Sequence, residues 1–171
     1  MLLVTPSDHI ILNENAFKNA LNEAIKLAND DKIVTFGIKP NEPNTGYGYI
    51  KASQNEVSEF VEKPDLKTAQ EFVKSGQYFY NSGMFCFKAK VFLDELKIYA
   101  HDTLCSAKNA YENAKSSRNL ARILPGDMDK IPDISIDYAL MQKTNKIAMV
   151  ALDAGWSDLG SFDELAKHLR S

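Results

Sequence analysis

The spacing of apolar side chains predicts that strands and helices alternate along the first part of the chain. Residues 2–5 form a short apolar run, which is typical of a buried strand. Over residues 17–28 the apolar positions recur every three or four residues, as on one face of an amphipathic helix, and Asn13 or Asn15 is the candidate N-cap. Residues 32–38 form a second strand, so this region has the strand–helix–strand order that builds parallel sheets.

The middle of the chain has the pattern of a small β-rich insertion. Residues 41–46 are rich in turn-forming residues and predict a loop. Residues 47–52 and 57–62 predict the two strands of a hairpin, and a helix follows from Pro64 to a stop at Gly76.

The remaining pattern is mixed and contains no repeat or flexible linker. The predicted elements are strands at 78–80 and 84–87 with a turn at Asn81-Ser82-Gly83, a helical stretch over 90–120, a helix capped by Ser135, a last strand at 147–151 and a last helix capped by Ser161. We therefore expect one compact α/β unit with helices on both faces of a mixed, mostly parallel sheet.

Composition narrows the classes of function. The chain has 171 residues, of which 44% are hydrophobic, and its formal net charge is −3 with no basic patch, which argues against a nucleic-acid binder. No apolar run is long enough to cross a bilayer, so no membrane partner is expected. With only two cysteines, of which Cys86 reads as a core thiol, a reducing cytoplasmic location is the default expectation.

Two carboxylates follow predicted strands. Asp8 comes directly after the first strand, and Asp158 comes after the last one by way of a Gly155-Trp156-Ser157 turn. Ligands of open α/β sheets bind at the carboxyl ends of strands, and Mg²⁺ prefers a few carboxylates together with phosphate oxygens. A turn or a helix cap is the alternative interpretation of each aspartate.

A second group of candidate residues comes from the β-rich section. Glu62 and Lys63 end a strand before Pro64, which favours an extended Lys63 and presents a hydroxyl acceptor beside a phosphate-binding charge. A solvated surface pair is the alternative. Gly48 suits a close approach to the backbone, and the Asn81 amide can bind hydroxyls, although a simple turn explains Asn81 equally well.

Together these segments resemble the sugar-1-phosphate nucleotidyltransferases, and among them the bacterial mannose-1-phosphate guanylyltransferases that are often fused to a phosphomannose isomerase domain. The resemblance covers nearly the whole chain in six ordered blocks. These are Thr5-Pro6-Ser7-Asp8-His9, Thr45-Gly46-Tyr47-Gly48-Tyr49-Ile50, Phe60-Val61-Glu62-Lys63-Pro64, Tyr80-Asn81-Ser82-Gly83-Met84-Phe85, Ser135-Ile136-Asp137-Tyr138-Ala139-Leu140-Met141 and Gly155-Trp156-Ser157-Asp158-Leu159-Gly160-Ser161.

The resemblance implies a role for each candidate residue. Asp8 and Asp158 would hold a catalytic Mg²⁺, and Lys63 would lie near the sugar phosphate. Gly48, Glu62 and Asn81 would bind the sugar. The implied reaction is attack by the phosphate of mannose 1-phosphate on the α-phosphorus of GTP, with release of pyrophosphate and no covalent intermediate.

The chain departs from the family pattern at its start, because it has no Gly-rich basic loop leading into a helix. We therefore expect residues 1–171 to be the C-terminal two-thirds of a nucleotidyltransferase domain, holding the sugar-phosphate and metal half and inactive alone. The alternatives are a non-catalytic sugar-phosphate-binding or regulatory module, a nucleotidyltransferase for another sugar 1-phosphate, and an interaction protein that uses an exposed sheet edge. A homodimer stays open as well.

Overall fold

The computed structural model describes residues 1–117 and 120–158, and the predicted Ser161-capped helix lies outside them. The chain divides into two compact units rather than the single unit expected. Of the described residues, the first unit comprises Met1–Ala89 and residues 146–158, and the second comprises residues 90–145. In the described part of the chain, no helix has the length and apolar character needed to span a bilayer.

The α/β class is confirmed. The strands are β1 Leu2–Val4, β2 His9–Ile10, β3 Ile33–Ile38, β4 Tyr49–Ser53, β5 Glu56–Val61, β6 Tyr78–Phe87, β7 Lys115–Ser117, β8 Leu120–Arg122, β9 Ile147–Ala151 and β10 Ser157–Asp158. The helices are α1 Glu14–Asn29, α2 Leu66–Ser75, α3 Ala89–Tyr99, α4 His101–Glu112 and α5 Pro125–Met128, and a π-helical turn spans Asp137–Met141.

The first unit is built on a mixed sheet of six strands in the order β1-β6-β3-β9-β5-β4, with β4 also paired to β6. Of its described pairings only β3 with β9 is parallel, so the expectation of a mostly parallel sheet is wrong. The reason is β6, which runs antiparallel to β1, β3 and β4 and separates β1 from β3.

The β4–β5 hairpin forms as predicted, but it is part of the main sheet rather than a separate insertion. Tyr49 pairs with Tyr80 of β6, and Glu56 pairs with Ala148 of β9. The hairpin therefore has a strand partner on each side. The Tyr49 pairing holds the open end of the hairpin, next to Gly48, against β6, and the Glu56 pairing holds its turn end against β9.

Helix α1 covers the middle of the sheet and confirms the predicted periodicity. The Asn13 side chain accepts the Ala16 N–H at 3.0 Å, which makes Asn13 the N-cap. The buried face carries small residues, Ala20, Ala24 and Ala28, so the helix approaches the strands closely. It packs on Val34, Phe36, Met84, Cys86, Ala148 and Val150 of the sheet.

Helix α2 also begins and ends where the sequence predicts. The Asp65 carboxylate accepts the Thr68 N–H at 2.8 Å, and this hydrogen bond lowers the pKa of Asp65. Gly76 ends the helix in the left-handed conformation with φ of 68°. Ala69 packs against three buried tyrosines, Tyr49, Tyr78 and Tyr80.

The first strand differs from its prediction. Leu2, Leu3 and Val4 form β1, but they are 48%, 42% and 45% exposed rather than buried. Among the described strands it pairs with β6 alone, so it lies at the edge of the sheet. An apolar run therefore identified the strand and misplaced it in the core.

The predicted turn at residues 81–83 is wrong, because β6 is one continuous strand of ten residues. Gly83 has a φ of 70°, and the pairing of β3 with β6 shifts register between Thr35 and Gly37. A bulge thus takes the place of the turn and keeps Asn81 inside the sheet.

In the second unit, the helical stretch expected over 90–120 ends at Glu112, and Lys115–Ser117 and Leu120–Arg122 form a hairpin instead. The helix before β9 starts at Ser135 as predicted, because the Ser135 carbonyl accepts the Ala139 N–H at 2.9 Å and Ile136 is already helical. The buried Glu95 of α3 accepts the Thr144 hydroxyl at 2.7 Å. Finally, β9 is not the last strand, because β10 follows it.

Candidate functional site

Gly48 and Glu62 meet where the β4–β5 hairpin opens. Tyr49 and Val61 are the last pair of the ladder, and Gly48 and Glu62 are the next residues beyond it on each side. A Cβ placed on Gly48 would lie 2.3 Å from Glu62 Oε2, and that oxygen is buried. The carboxylate of Glu62 thus occupies the space that only glycine leaves open, and the approach of a ligand to Gly48 stays a prediction.

Asn81 joins this pair from β6. Its N–H donates to the Gly48 carbonyl at 2.8 Å, and the Gly48 Cβ position lies 3.4 Å from the Asn81 Cβ. The Asn81 Oδ1 accepts the Thr35 hydroxyl at 2.7 Å and the Gly83 N–H at 3.3 Å. Because the carboxamide oxygen is held by these two donors, the Nδ2 amino group is its donor end. We call Gly48, Glu62 and Asn81 the glycine cradle.

Lys63 is exposed and adopts a left-handed φ of 47°. The expectation of an extended backbone before Pro64 is wrong at this residue. The chain has to turn between the end of β5 at Val61 and the N-cap of α2 at Asp65, and Lys63 makes the turn. A non-glycine residue in this region costs roughly 1–3 kcal/mol, a strain that tends to occur at functional sites.

Asp158 lies in a short antiparallel strand pair, and Asp8 lies directly before the other strand of that pair. Strand β10 pairs with β2 so that Asp158 is opposite His9, the residue after Asp8. Asp8 is exposed and Asp158 is half-buried. The backbone thus brings the two segments together, and their joint binding of a metal stays a prediction.

A cavity of about 680 Å³ lies at the carboxyl ends of the parallel strands β3 and β9. Its walls include Lys39, Glu42, Asp153 and Asp158. Asp158 is the one predicted site residue among its lining residues, while the glycine cradle, Asp8 and Lys63 lie outside the lining.

The cavity also has an aromatic wall that the sequence interpretation missed. Tyr47, Tyr80 and Trp156 line it, with ring centroids 5.0 Å apart for Tyr47 and Tyr80 and 5.6 Å apart for Tyr47 and Trp156. The Trp156 Nε1–H donates to His9 Nδ1 at 3.1 Å. His9 and Trp156 lie in the first and last of the six sequence blocks that carry the family resemblance. The spacing of residues within such blocks does not show that these two side chains are in contact.

The phenol of Tyr80 is kept neutral at the cavity wall. Its hydroxyl donates to the Glu42 carbonyl, and burial raises the pKa of Tyr80 above its ordinary value. Tyr49 binds the same loop through two hydrogen bonds. Its hydroxyl donates to the Asn44 carbonyl at 3.0 Å and accepts the Asn44 N–H at 2.9 Å. The loop over residues 42–44 is therefore fixed to the sheet by two tyrosines.

The arrangement suits recognition of a polyhydroxylated ligand that carries a phosphate. Glu62 is an acceptor for hydroxyl groups, Asn81 is a donor, and Lys63 is an exposed cation beside them. In the described residues, no group of three or more His, Cys, Asp or Glu side chains could hold a metal ion. A site of two carboxylates completed by ligand oxygens still fits Mg²⁺, which is commonly bound through one or two carboxylates plus substrate phosphates.

Comparison with known proteins gives one matching family and several close relatives. The nucleotidyl transferase family model matches residues 1–170. The chain is 46% identical over 169 residues to xanthan biosynthesis protein XanB of Xanthomonas campestris pv. campestris (strain B100), covering 96% of this chain and 36% of the relative. It is 42% identical over 175 residues to mannose-1-phosphate guanylyltransferase of Escherichia coli (strain K12), covering 96% of this chain and 37% of that enzyme.

A solved structure supports the same relationship. A crystal structure described as mannose-6-phosphate isomerase from Helicobacter pylori superposes with a TM-score of 0.89 at 46% identity. The match covers 92% of this chain and 63% of that chain. The chain thus spans little more than a third of the length of the two sequence relatives above.

Proposed function

Because the chain belongs to the nucleotidyl transferase family, we propose that it forms the sugar-phosphate part of a mannose-1-phosphate guanylyltransferase. Such an enzyme joins mannose 1-phosphate to GTP and releases pyrophosphate. The observation that carries the proposal is the glycine cradle, in which the buried Glu62 Oε2 lies 2.3 Å from the Gly48 Cβ position. With Oε2 enclosed against bare backbone, the half-buried carboxylate is held rigidly, and its other oxygen, Oε1, is the acceptor that we assign to sugar hydroxyls.

Each residue near the cradle has a distinct task in this proposal. Glu62 accepts hydrogen bonds from ring hydroxyls, and such bonds to a charged group are worth about 1.5–3 kcal/mol each. Asn81 donates to a hydroxyl while Thr35 holds its carboxamide oxygen. Lys63 places an ammonium beside the anomeric phosphate. The substrate phosphate is thereby held in line with the nucleotide, which is the main source of rate in phosphoryl transfer.

Asp8 and Asp158 are the residues that would hold Mg²⁺, because β2 and β10 pair next to them. When bound, Mg²⁺ would neutralise negative charge on the phosphates. The two aspartates also keep their side of the site acidic, which disfavours a phosphate there without a cation. Base recognition is not assigned to these residues, and we expect the 171 residues alone to give little turnover.

The test is calorimetry of mannose 1-phosphate with the 171-residue chain and with Glu62→Gln, which keeps the shape and removes the charge. Glu56→Gln is the matched control, since Glu56 is an exposed glutamate at the start of β5, the strand that ends just before Glu62. We expect Glu62→Gln to bind about 10-fold or more weakly and the control to bind normally. Equal binding by both variants would remove the proposed sugar contact.

Two further measurements separate the alternatives. Pyrophosphate release in the presence of GTP and Mg²⁺ tests turnover, and a rate like that of a full-length relative would overturn the expected inactivity. Tighter binding of glucose 1-phosphate than of mannose 1-phosphate would point to a nucleotidyltransferase for another sugar. Sugar-phosphate binding without turnover, even after a nucleotide-binding segment of a relative is added, would favour a binding or regulatory module.

A further inference from the structure

The indole of Trp156 is held by side chains from two other parts of the first unit. Its Nε1–H donates to His9 Nδ1 at 3.1 Å, and the two rings are edge-on with centroids 5.2 Å apart. On its other side the indole meets Tyr47 edge-on at 5.6 Å. Trp156 is half-buried and lines the cavity, so its orientation decides the shape of that wall.

The backbone around Trp156 is fixed independently of its side chain. The Ala154 carbonyl accepts the N–H groups of Leu12 at 2.9 Å and of Asn13 at 3.0 Å. Gly155 has a φ of 61°, and a Cβ there would lie 2.9 Å from the Leu12 Cβ. These contacts place the turn, but none of them selects a rotamer for the indole. The His9 bond and the Tyr47 contact do so, together with packing of the indole against the hydrophobic core.

His9 also belongs to the β2–β10 strand pair, which carries Asp158 and follows Asp8. It follows Asp8 in the chain and lies opposite Asp158 in the β2–β10 ladder. Because an indole N–H can only donate, His9 Nδ1 has to be the acceptor in this bond. The His9 side chain therefore contacts the Trp156 indole of the cavity wall, while its backbone lies in the strand pair next to Asp8 and Asp158.

We propose that His9 is a positioning residue for the sugar ring. By accepting the indole N–H, His9 fixes the orientation of the Trp156 indole at the cavity wall, and the apolar face of a hexose 1-phosphate packs against that indole. Pockets of this kind combine aromatic walls with a few polar groups that fix the ligand. The inference rests on the proposed function, because it takes the sugar phosphate as the ligand.

The protein has a single tryptophan, so its fluorescence reports on this wall alone. The variant His9→Leu removes the acceptor, and His9→Asn keeps an acceptor atom at the position of Nδ1. His101→Leu, which changes an exposed histidine at the start of α4, is the control. The probes are mannose 1-phosphate and inorganic phosphate, with affinities measured by calorimetry and by Trp156 quenching.

We expect His9→Leu to bind mannose 1-phosphate about 5- to 10-fold more weakly, with His9→Asn within twofold of the unchanged chain. Inorganic phosphate should bind all variants alike, since it has no ring. Acrylamide should quench Trp156 more strongly in ligand-free His9→Leu than in His101→Leu. Folding of each variant is checked by thermal unfolding.

Three results would overturn the inference. They are equal sugar-phosphate binding by His9→Leu, failure of His9→Asn to restore binding, and a loss that is as large for inorganic phosphate as for mannose 1-phosphate. If His9→Leu does not fold, the His9→Asn comparison decides. No binding of mannose 1-phosphate by the unchanged chain would instead remove the proposed function, and this inference with it.

Discussion

Substitution of Gly48 by alanine is the sharpest test of the glycine cradle. The added methyl would lie 2.3 Å from Glu62 Oε2, whereas ordinary van der Waals contact begins near 3.4 Å. The carboxylate therefore has to retreat by about 1 Å, the displacement expected to break a well-aligned hydrogen bond. Gly48 does not have a positive φ, so no backbone strain is added.

The loss can be estimated from the bonds that the displaced carboxylate would make. One hydrogen bond to a charged group contributes about 1.5–3 kcal/mol, which corresponds to about 10- to 150-fold in affinity. The effect on folding is smaller, because a reduced unfolded-state entropy of about 0.4–1 kcal/mol offsets part of an overpacking cost of about 1–3 kcal/mol. We expect Gly48→Ala to fold and to bind mannose 1-phosphate poorly.

Calorimetry and denaturant unfolding measure the two effects separately. Gly126→Ala is the control, because an added Cβ there meets nothing within 4 Å. Adding Glu62→Asp to Gly48→Ala shortens the side chain and should recover stability without recovering affinity. A folded Gly48→Ala chain that binds mannose 1-phosphate as tightly as the unchanged chain would refute the cradle as the sugar site.

Three further predictions concern the scaffold. Asn13→Ala should lower the free energy of unfolding by about 1 kcal/mol through loss of the α1 N-cap, whereas Asn19→Ala, at an exposed mid-helix position, should leave it unchanged or higher, as measured by urea denaturation. A thiol reagent should modify Cys105 rapidly in the native protein and Cys86 only on unfolding, because Cys86 is 1% exposed and burial raises its pKa; rapid double labelling would contradict this. Burial and the Glu59 hydrogen bond raise the pKa of Tyr78 to about 12, so the folded state retains a proton that the unfolded state loses above pH 10; stability should fall between pH 10 and 12, and less steeply in Tyr78→Phe.

Helices α1 and α2 were predictable because their signals are local. The Asn13 cap and the alanine stripe of α1, and the Asp65 cap and Gly76 stop of α2, depend on residues a few positions apart. Most strands were located correctly, but their burial and their neighbours in the sheet were predicted less reliably. Whether Leu3 is buried depends on what lies beside its strand, and that information is distributed over the whole sheet.

In the candidate site, too, local sequence identified individual residues but not which of them are neighbours in space. Gly48 and Glu62 were singled out separately, and only the hairpin register makes them neighbours. Asn81 looked like part of a turn, because Asn-Ser-Gly has turn composition, and the sheet overrode that preference by pairing the strand on both sides. The contact of Trp156 with His9 joins residues 147 positions apart, so no local pattern could reveal it.

The length of β6 has a consequence for how the site behaves in solution. Asn81 lies within a strand that pairs with three others, so releasing it requires the sheet itself to open. Backbone amides in such positions exchange with solvent only in rare, large openings. A ligand seated on Asn81 would therefore meet a receptor that is already ordered, and little of its binding energy would be lost to immobilising the chain.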